Sequence, residues 1–176
     1  VPPFGNTQTV LVDRKNRLWA GSQQGLFFRE NATFKQVLPQ KENIISLWES
    51  PTGEIWAGSF GNGVFIVDAT GKSLRHLQEK DGLANGSVLS IAGDARRVWL
   101  ATLGGIAVYD EQQHVFLNDV QEKSALGKSY IYKVFADTKG RIWFGTDGEG
   151  LRVLENGKMQ SYTLADGVAL KTIYSI

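Results

Sequence analysis

Cysteine is absent from the 176-residue chain, which removes disulfides, thiol nucleophiles and thiolate metal sites together. Histidine occurs only at His76 and His114, and no HExxH run accompanies them, so a zinc hydrolase has no ligand set to work with. Proline is scarce, at four residues, and no long apolar run reads as a membrane-spanning helix. Charge bias is missing too: 19 Lys and Arg stand against 18 Asp and Glu, scattered singly and without the basic stripe that a phosphate backbone demands. Nucleic acid is therefore not an expected partner. No G-x-S-x-G nucleophile elbow is present. Val1 opens the chain without a charged and apolar leader, so the expectation is a removed signal or a piece of a longer protein.

What the sequence has is glycine, 20 residues of it, between short runs of aromatic and β-branched residues. These runs repeat. GRIWFGTDGEGLRVLE at 140–155 is answered by RVWLATLGGIAVYD at 97–110, GEIWAGSFGNGVFIVD at 53–68 and NRLWAGSQQGLFFRE at 16–30. Trp19, Trp56, Trp99 and Trp143 mark the copies at separations of 37, 43 and 44 residues. A period near 40 made only of strands and turns is that of a propeller blade or a β-solenoid coil, and a solenoid would want a shorter rung with stricter stacking of small residues.

Each copy holds four strand patterns, which predicts an all-β chain: a β-propeller of four four-stranded blades with a fifth begun. The expected repeats cover 8–40, 43–80, 87–118 and 130–164, within one propeller segment at 1–176. Residues 165–176 start a further blade: Asp166 and Gly167 answer Asp81 and Gly82, and 173–176 answers 88–91 as a first strand. Strands such as VFIVD and VWLAT carry apolar residues on both faces, as sheets covered on both sides require. An open arc of blades exposes sheet faces, so self-association is expected.

The recurring phrase, a first strand, an Asp-led turn, G-x-[IL]-W-[ALIF]-[GA]-[ST], a glycine turn and G-[LIV]-x-[VR], resembles the two-component regulator propeller repeat. DTKGRIWFGTDGEGLRVLE and SPTGEIWAGSFGNGVFIVD are the nearest copies, and DGLANGSVLSI resembles the family's inter-blade connector. The third copy departs, with Gly93 in place of Asp13, Ser50 or Asp137, and Arg96 at the turn glycine. The resemblance implies a seven-bladed ring of which this is a segment. It implies the extracytoplasmic, periplasmic sensor region of a bacterial histidine kinase or hybrid two-component system, with the kinase elsewhere in the parent protein. Several members respond to oligosaccharides, which implies a carbohydrate ligand. The expectation is a non-catalytic sensor segment without cofactor or metal. The alternatives are a lyase resembling the streptogramin lyases, which needs a convergent His and acid pair with a metal, and a protein-interaction scaffold.

Candidate binding residues follow from propeller geometry. Loops between second and third strands, and connectors between blades, gather at one face around the channel. Here they hold Gln23, Gln24, Phe60, Asn62, Asp147 and Glu149, with Asn43, Asn85, Ser87 and Tyr130 on the connectors. Amides and carboxylates beside aromatic rings suit a hydroxyl-rich ligand. Trp48, eight residues before Trp56 on a first strand, offers a ring to a sugar; the same count gives Leu11, Ile91 and Phe135, which favours packing. The four repeat Trp read as core. Both histidines fall on fourth strands at the rim and read as solvated or capping residues. Ser22, Ser59, Thr102 and Thr146 read as turn hydrogen-bonding groups.

Overall fold

The second strand of each repeat shows how the sequence builds the fold. In LWAGS, IWAGS, RVWLAT and IWFGT, aromatic and aliphatic residues favour extended backbone, and successive side chains point to opposite sides. Nearly all of them are buried on both sides, which a single sheet in water does not allow. In the computed structural model each such strand is the second of a four-stranded antiparallel meander, and four meanders pack in sequence. The structure describes residues 5–38, 41–68, 70–71, 73–118, 126, 129–168 and 171–176.

Blade one is β1 (Thr7–Val12), β2 (Leu18–Ser22), β3 (Gly25–Glu30) and β4 (Thr33–Gln36). Blade two is β5 (Ile44–Glu49), β6 (Ile55–Ser59), β7 (Val64–Val67) and β8 (Ser73–Leu77). Blade three is β9 (Val88–Gly93), β10 (Arg97–Thr102), β11 (Gly105–Asp110) and β12 (Val115–Leu117). Blade four is β13 (Ile131–Ala136), β14 (Ile142–Thr146), β15 (Leu151–Glu155) and β16 (Lys158–Tyr162). Single 3-10 turns at Glu79–Asp81 and Leu164–Asp166 open the connectors. The first strands β1, β5, β9 and β13 lie beside one another at the inner edge. Ser46 Oγ donates to Val88 O at 2.7 Å and Ser90 Oγ to Val134 O at 3.2 Å, tying neighbouring inner strands together. The chain is an arc of a β-propeller. No helix among the described residues is long and apolar enough to cross a membrane.

Alternation along the strands divides the core into inter-blade layers. Ile55, Ala57, Phe65 and Val67 of blade two face Trp19 and Leu26 of blade one. Trp56, Val64 and Ile66 face the other way, onto Val98, Leu100, Ala107 and Tyr109 of blade three. Trp99 and Val108 of blade three meet Val134, Ile142 and Phe144 of blade four. Trp19, Trp56 and Trp99 are 0%, 0% and 2% exposed, so the repeat Trp is the core residue that each blade gives to the next. Burying an indole of this size contributes about 4 kcal/mol of transfer free energy.

The small residue two positions after each Trp has a steric cause. A Cβ on Gly21 would lie 2.9 Å from Ile44 O, one on Gly58 would lie 2.8 Å from Val88 O, and one on Gly145 would lie 2.6 Å from Ile173 O. The next blade's first strand, or for Gly145 the segment at Ile173, passes that close, and only blade three carries a methyl group there, at Ala101.

Three expectations are corrected. In blade three the turn cap is Asp94, whose Oδ1 accepts from Arg96 N at 2.7 Å and Arg97 N at 2.8 Å. That turn is one residue shorter than the others, so Trp99 pairs with Ala92 and not Ile91. His114 belongs to the turn before β12, with φ 56°, and not to the strand. Residues 173–176 form no strand: Ile173 N donates to Thr146 O at 3.0 Å, but no second strand among the described residues pairs with the segment. It occupies the docking position of a first strand without the ladder that would make it one. Of the stretch 118–129 that joins the third repeat to the fourth, Asn118, Leu126 and Ser129 are described and the rest lies outside the described residues. Of these, Leu126 is buried between blades three and four.

Candidate functional site

The loops between second and third strands share one construction. Ser59 Oγ donates to Gly63 O at 2.9 Å and accepts from Asn62 N at 2.9 Å; Thr146 Oγ1 donates to Gly150 O at 2.8 Å and accepts from Glu149 N at 3.2 Å. Ser22 and Thr102 do the same for their loops. All four hydroxyls are buried, so they fix the loops and leave nothing reactive at the surface.

The loops of blades two and four are then tied to connectors. Phe60 N donates to Asn43 O at 2.8 Å and Asp147 N to Tyr130 O at 2.9 Å, within a blade. Gly63 N donates to Gly86 O at 2.7 Å and Gly150 N to Lys171 O at 2.7 Å, across to the following connector. Between loop and connector lie two equivalent notches. One of about 240 Å³ is walled by Gly61, Asn62, Gly63, Gln78, Glu79 and Gly86. The other, of about 230 Å³, is walled by Gly148, Glu149, Gly150, Thr163, Leu164 and Lys171. Main-chain positive φ at Gly61, Gly63, Gly148 and Gly150 makes the walls tight.

The sequence-predicted residues divide over this face. Asn62 and Glu149 reach the notches, but the Asn62 amide is already spent: Oδ1 accepts from Gln78 Nε2 at 2.7 Å and Nδ2 donates to Glu42 Oε1 at 2.9 Å. Glu149 pairs with Arg152 at 2.5 Å and Asp147 accepts from Thr172 Oγ1 at 2.9 Å, so the two carboxylates are engaged by different partners. Asn43 Oδ1 accepts from Gln8 Nε2 at 2.6 Å, and Asn85 Oδ1 caps Ser87 N at 2.9 Å. Gln24 contributes its carbonyl to Gln36 Nε2 at 3.3 Å, and Gln23 is exposed. Phe60 and Tyr130, 56% and 51% exposed, are the large rings left to solvent here. Trp48 is not with them. It pairs with Trp56 at the far end of β6 and packs edge-on against that ring at 6.2 Å. His76 stacks on Phe65 at 4.0 Å, with Nε2 2.7 Å from Asn62 O.

The opposite ends of the strands carry a cluster that the repeat pattern did not reveal. Arg75 on β8 lies over the rings of Trp56 and Tyr109 and reaches from blade two to blade three. Its guanidinium donates to Glu54 Oε2 at 3.0 Å, Tyr109 Oη at 3.0 Å and Glu111 Oε2 at 3.5 Å. His114 Nδ1 stands 3.1 Å away and must accept, because arginine has no acceptor. Burial pushes the Glu111 carboxyl up, with Arg75 opposing and Glu54 adding to the rise. Burial likewise raises the Tyr109 phenol. The partners are 21, 34, 36 and 39 residues from Arg75, so no local motif signals them.

Comparison with known proteins agrees with this architecture. Residues 125–148 match the family model described as Two component regulator propeller. None of the curated proteins matches the sequence. Among solved structures, the extracellular domain of hybrid two component system BT3049 from B. thetaiotaomicron is similar over 95% of this chain and 24% of its own, with TM-score 0.81 and 23% identity. The corresponding domain of BT4673 from the same organism is similar over 90% of this chain and 24% of its own, at 0.75 and 17%. A virginiamycin B lyase from Staphylococcus aureus is similar over 89% and 55%, at 0.66 and 15%. These likenesses show the fold, and the chain spans about a quarter of the two extracellular domains.

Proposed function

We propose, from the premise that the recurring phrase is the two-component regulator propeller repeat, that this chain is a non-catalytic ligand-sensing segment of a larger, periplasmic propeller. The ligand class is carbohydrate, and occupancy is passed to a kinase elsewhere in the parent protein. The observations that support the reading are the pair of equivalent notches in blades two and four and the exposed rings of Phe60, next to Gly61 in the loop, and Tyr130, whose carbonyl accepts from Asp147 N. Backbone N–H and C=O groups of tight glycine turns offer hydrogen bonds at fixed positions, and a neighbouring aromatic face covers a pyranose ring. Because each notch is built from a loop of one blade and the connector to the next, a ligand bound there favours one inter-blade arrangement over another.

The test is a thermal-shift and calorimetric screen of neutral oligosaccharides. A sugar at a hundredfold excess over its Kd raises stability by about 2.7 kcal/mol. Loss of that shift in a Phe60→Ala, Tyr130→Ala double variant supports the reading. A sugar whose binding ignores both substitutions, or no sugar bound by this chain and by the parent extracellular region alike, overturns it.

A further inference from the structure

A cleft of about 650 Å³ opens between blades two and three, at the ends of the strands opposite to the notches. Its walls are the first turn of blade two (Ser50, Pro51, Glu54), the first turn of blade three (Asp94, Ala95) and the Arg75 cluster with Glu111 and His114. We infer that this cleft binds a small molecule through a guanidinium or ammonium group.

The molecule supplies its own template one blade earlier. The first turns are matched by their caps: Asp13 N donates to Arg17 O, Ser50 N to Glu54 O and Asp94 N to Arg97 O. Arg14, Pro51 and Ala95 therefore stand at one position of the repeat. Arg14 extends from the first turn of blade one onto that of blade two. There its guanidinium meets Glu49 Oε1 at 3.3 Å, Pro51 O at 2.9 Å and Ser50 O. In the next inter-blade space the corresponding side chain is the short ring of Pro51. No cation crosses from that position, and the space between the two turns stays open.

The chemistry of the walls is that of an acceptor site. Among the described residues that line the cleft, the carboxylates of Glu54, Asp94 and Glu111 stand beside the guanidinium of Arg75. Arg75 takes up one oxygen of Glu54 and one of Glu111, while Glu111 Oε1 is buried with no hydrogen-bond partner among the described residues. Carboxylate oxygens that line the cleft gain charge-assisted hydrogen bonds from an N–H donor. The carboxylates form no group arranged to hold a metal ion among the described residues, so N–H donors are the fitting complement. The volume falls within the roughly 300 to 1,000 Å³ of small-molecule sites. This site is separate in place and chemistry from the carbohydrate reading of the notches.

The experiment is titration calorimetry of this chain at low salt with agmatine, glucosamine and N-acetylglucosamine. The two amines are expected to bind, more weakly as salt is added, and the neutral acetylated sugar is not. Pro51→Arg fills the cleft with the side chain that Arg14 places one blade earlier. It should weaken amine binding by about tenfold or more while the melting temperature holds or rises. Ala95→Arg plugs the cleft from the other wall and gives the same reading should Pro51→Arg fail to fold. Failure of both amines to bind, equal binding of the acetylated sugar, or amine binding unchanged in the plugged variants overturns the inference.

Discussion

The indole N–H of Trp19 donates to Oδ2 of Asp13 at 2.9 Å, so the first turn of the blade is fastened to the core residue of its second strand. Asp13 also takes Lys15 N at 3.0 Å, Arg17 N at 2.8 Å and Arg17 Nε at 2.7 Å. Blade four repeats the arrangement with Trp143 on Asp137 at 3.0 Å. Blade two does not: Ser50 stands at the cap, and Trp56 Nε1 is buried without a partner among the described residues.

This difference sets unequal costs for the same substitution. Trp19→Phe removes packing and one of the hydrogen bonds to buried Asp13, whereas Trp56→Phe removes packing together with an unsatisfied donor. Trp19→Phe should cost about 1 to 2 kcal/mol more than Trp56→Phe in urea unfolding. Equal losses would mean that the indole bond contributes nothing.

Both caps tie stability to pH. At Asp13 burial pushes the carboxyl up, but the bonds from Trp19 and Arg17 outweigh it and hold the group below its ordinary range. At Asp137 the bond from Trp143 is the largest influence, and that carboxyl lies lower still. A depressed folded value gives stability that is present above the unfolded carboxylate value, near about pH 4, and is lost as pH falls through the folded one. The Asp13→Asn, Asp137→Asn double variant should be less stable than the parent chain at pH 7 and show a flatter acid limb in urea titrations.

Gly58→Ala tests the close approach of neighbouring inner strands. The new Cβ would stand 2.2 Å from Ser46 Oγ and 2.8 Å from both Val88 Cγ1 and Val88 O, and the last of these is main chain. A cost of about 1 to 3 kcal/mol is expected in denaturant unfolding, as for overpacking in a core. A neutral result would show that the blades separate freely.

Arg75→Gln should destabilise the chain by about 2 to 4 kcal/mol, since it leaves Glu54 and Glu111 facing one another without the cation between them. Adding Glu54→Gln should restore part of the loss. No restoration in the double variant would place the cost in lost ring packing on Trp56 and Tyr109.

Trp143 is half-buried where its three counterparts are fully covered, and Tyr162, stacked on it, is 37% exposed. A sheet face of this kind is covered by the following blade in every other repeat. Concentration-dependent association of this chain is expected in sedimentation velocity, and a monodisperse monomer over a wide concentration range would contradict it.

Much of the architecture was legible in the sequence because it repeats. Four Trp at near-constant spacing, four buried hydroxyls and glycine-led turns reflect constraints that each blade meets alone, so they recur and can be counted. The shortened turn of blade three, which moves the partner of Trp99 to Ala92, escaped because it breaks the count by one residue. The predicted loop residues were found by connectivity, as positions between second and third strands and on connectors. Whether their polar groups remain available was decided by partners such as Glu42 and Gln78 for Asn62, which only packing brings near. The Arg75 cluster and the cleft above it belong wholly to the tertiary structure. They join single residues from two blades, and nothing in a repeat records which of its variable positions will face one another across an interface.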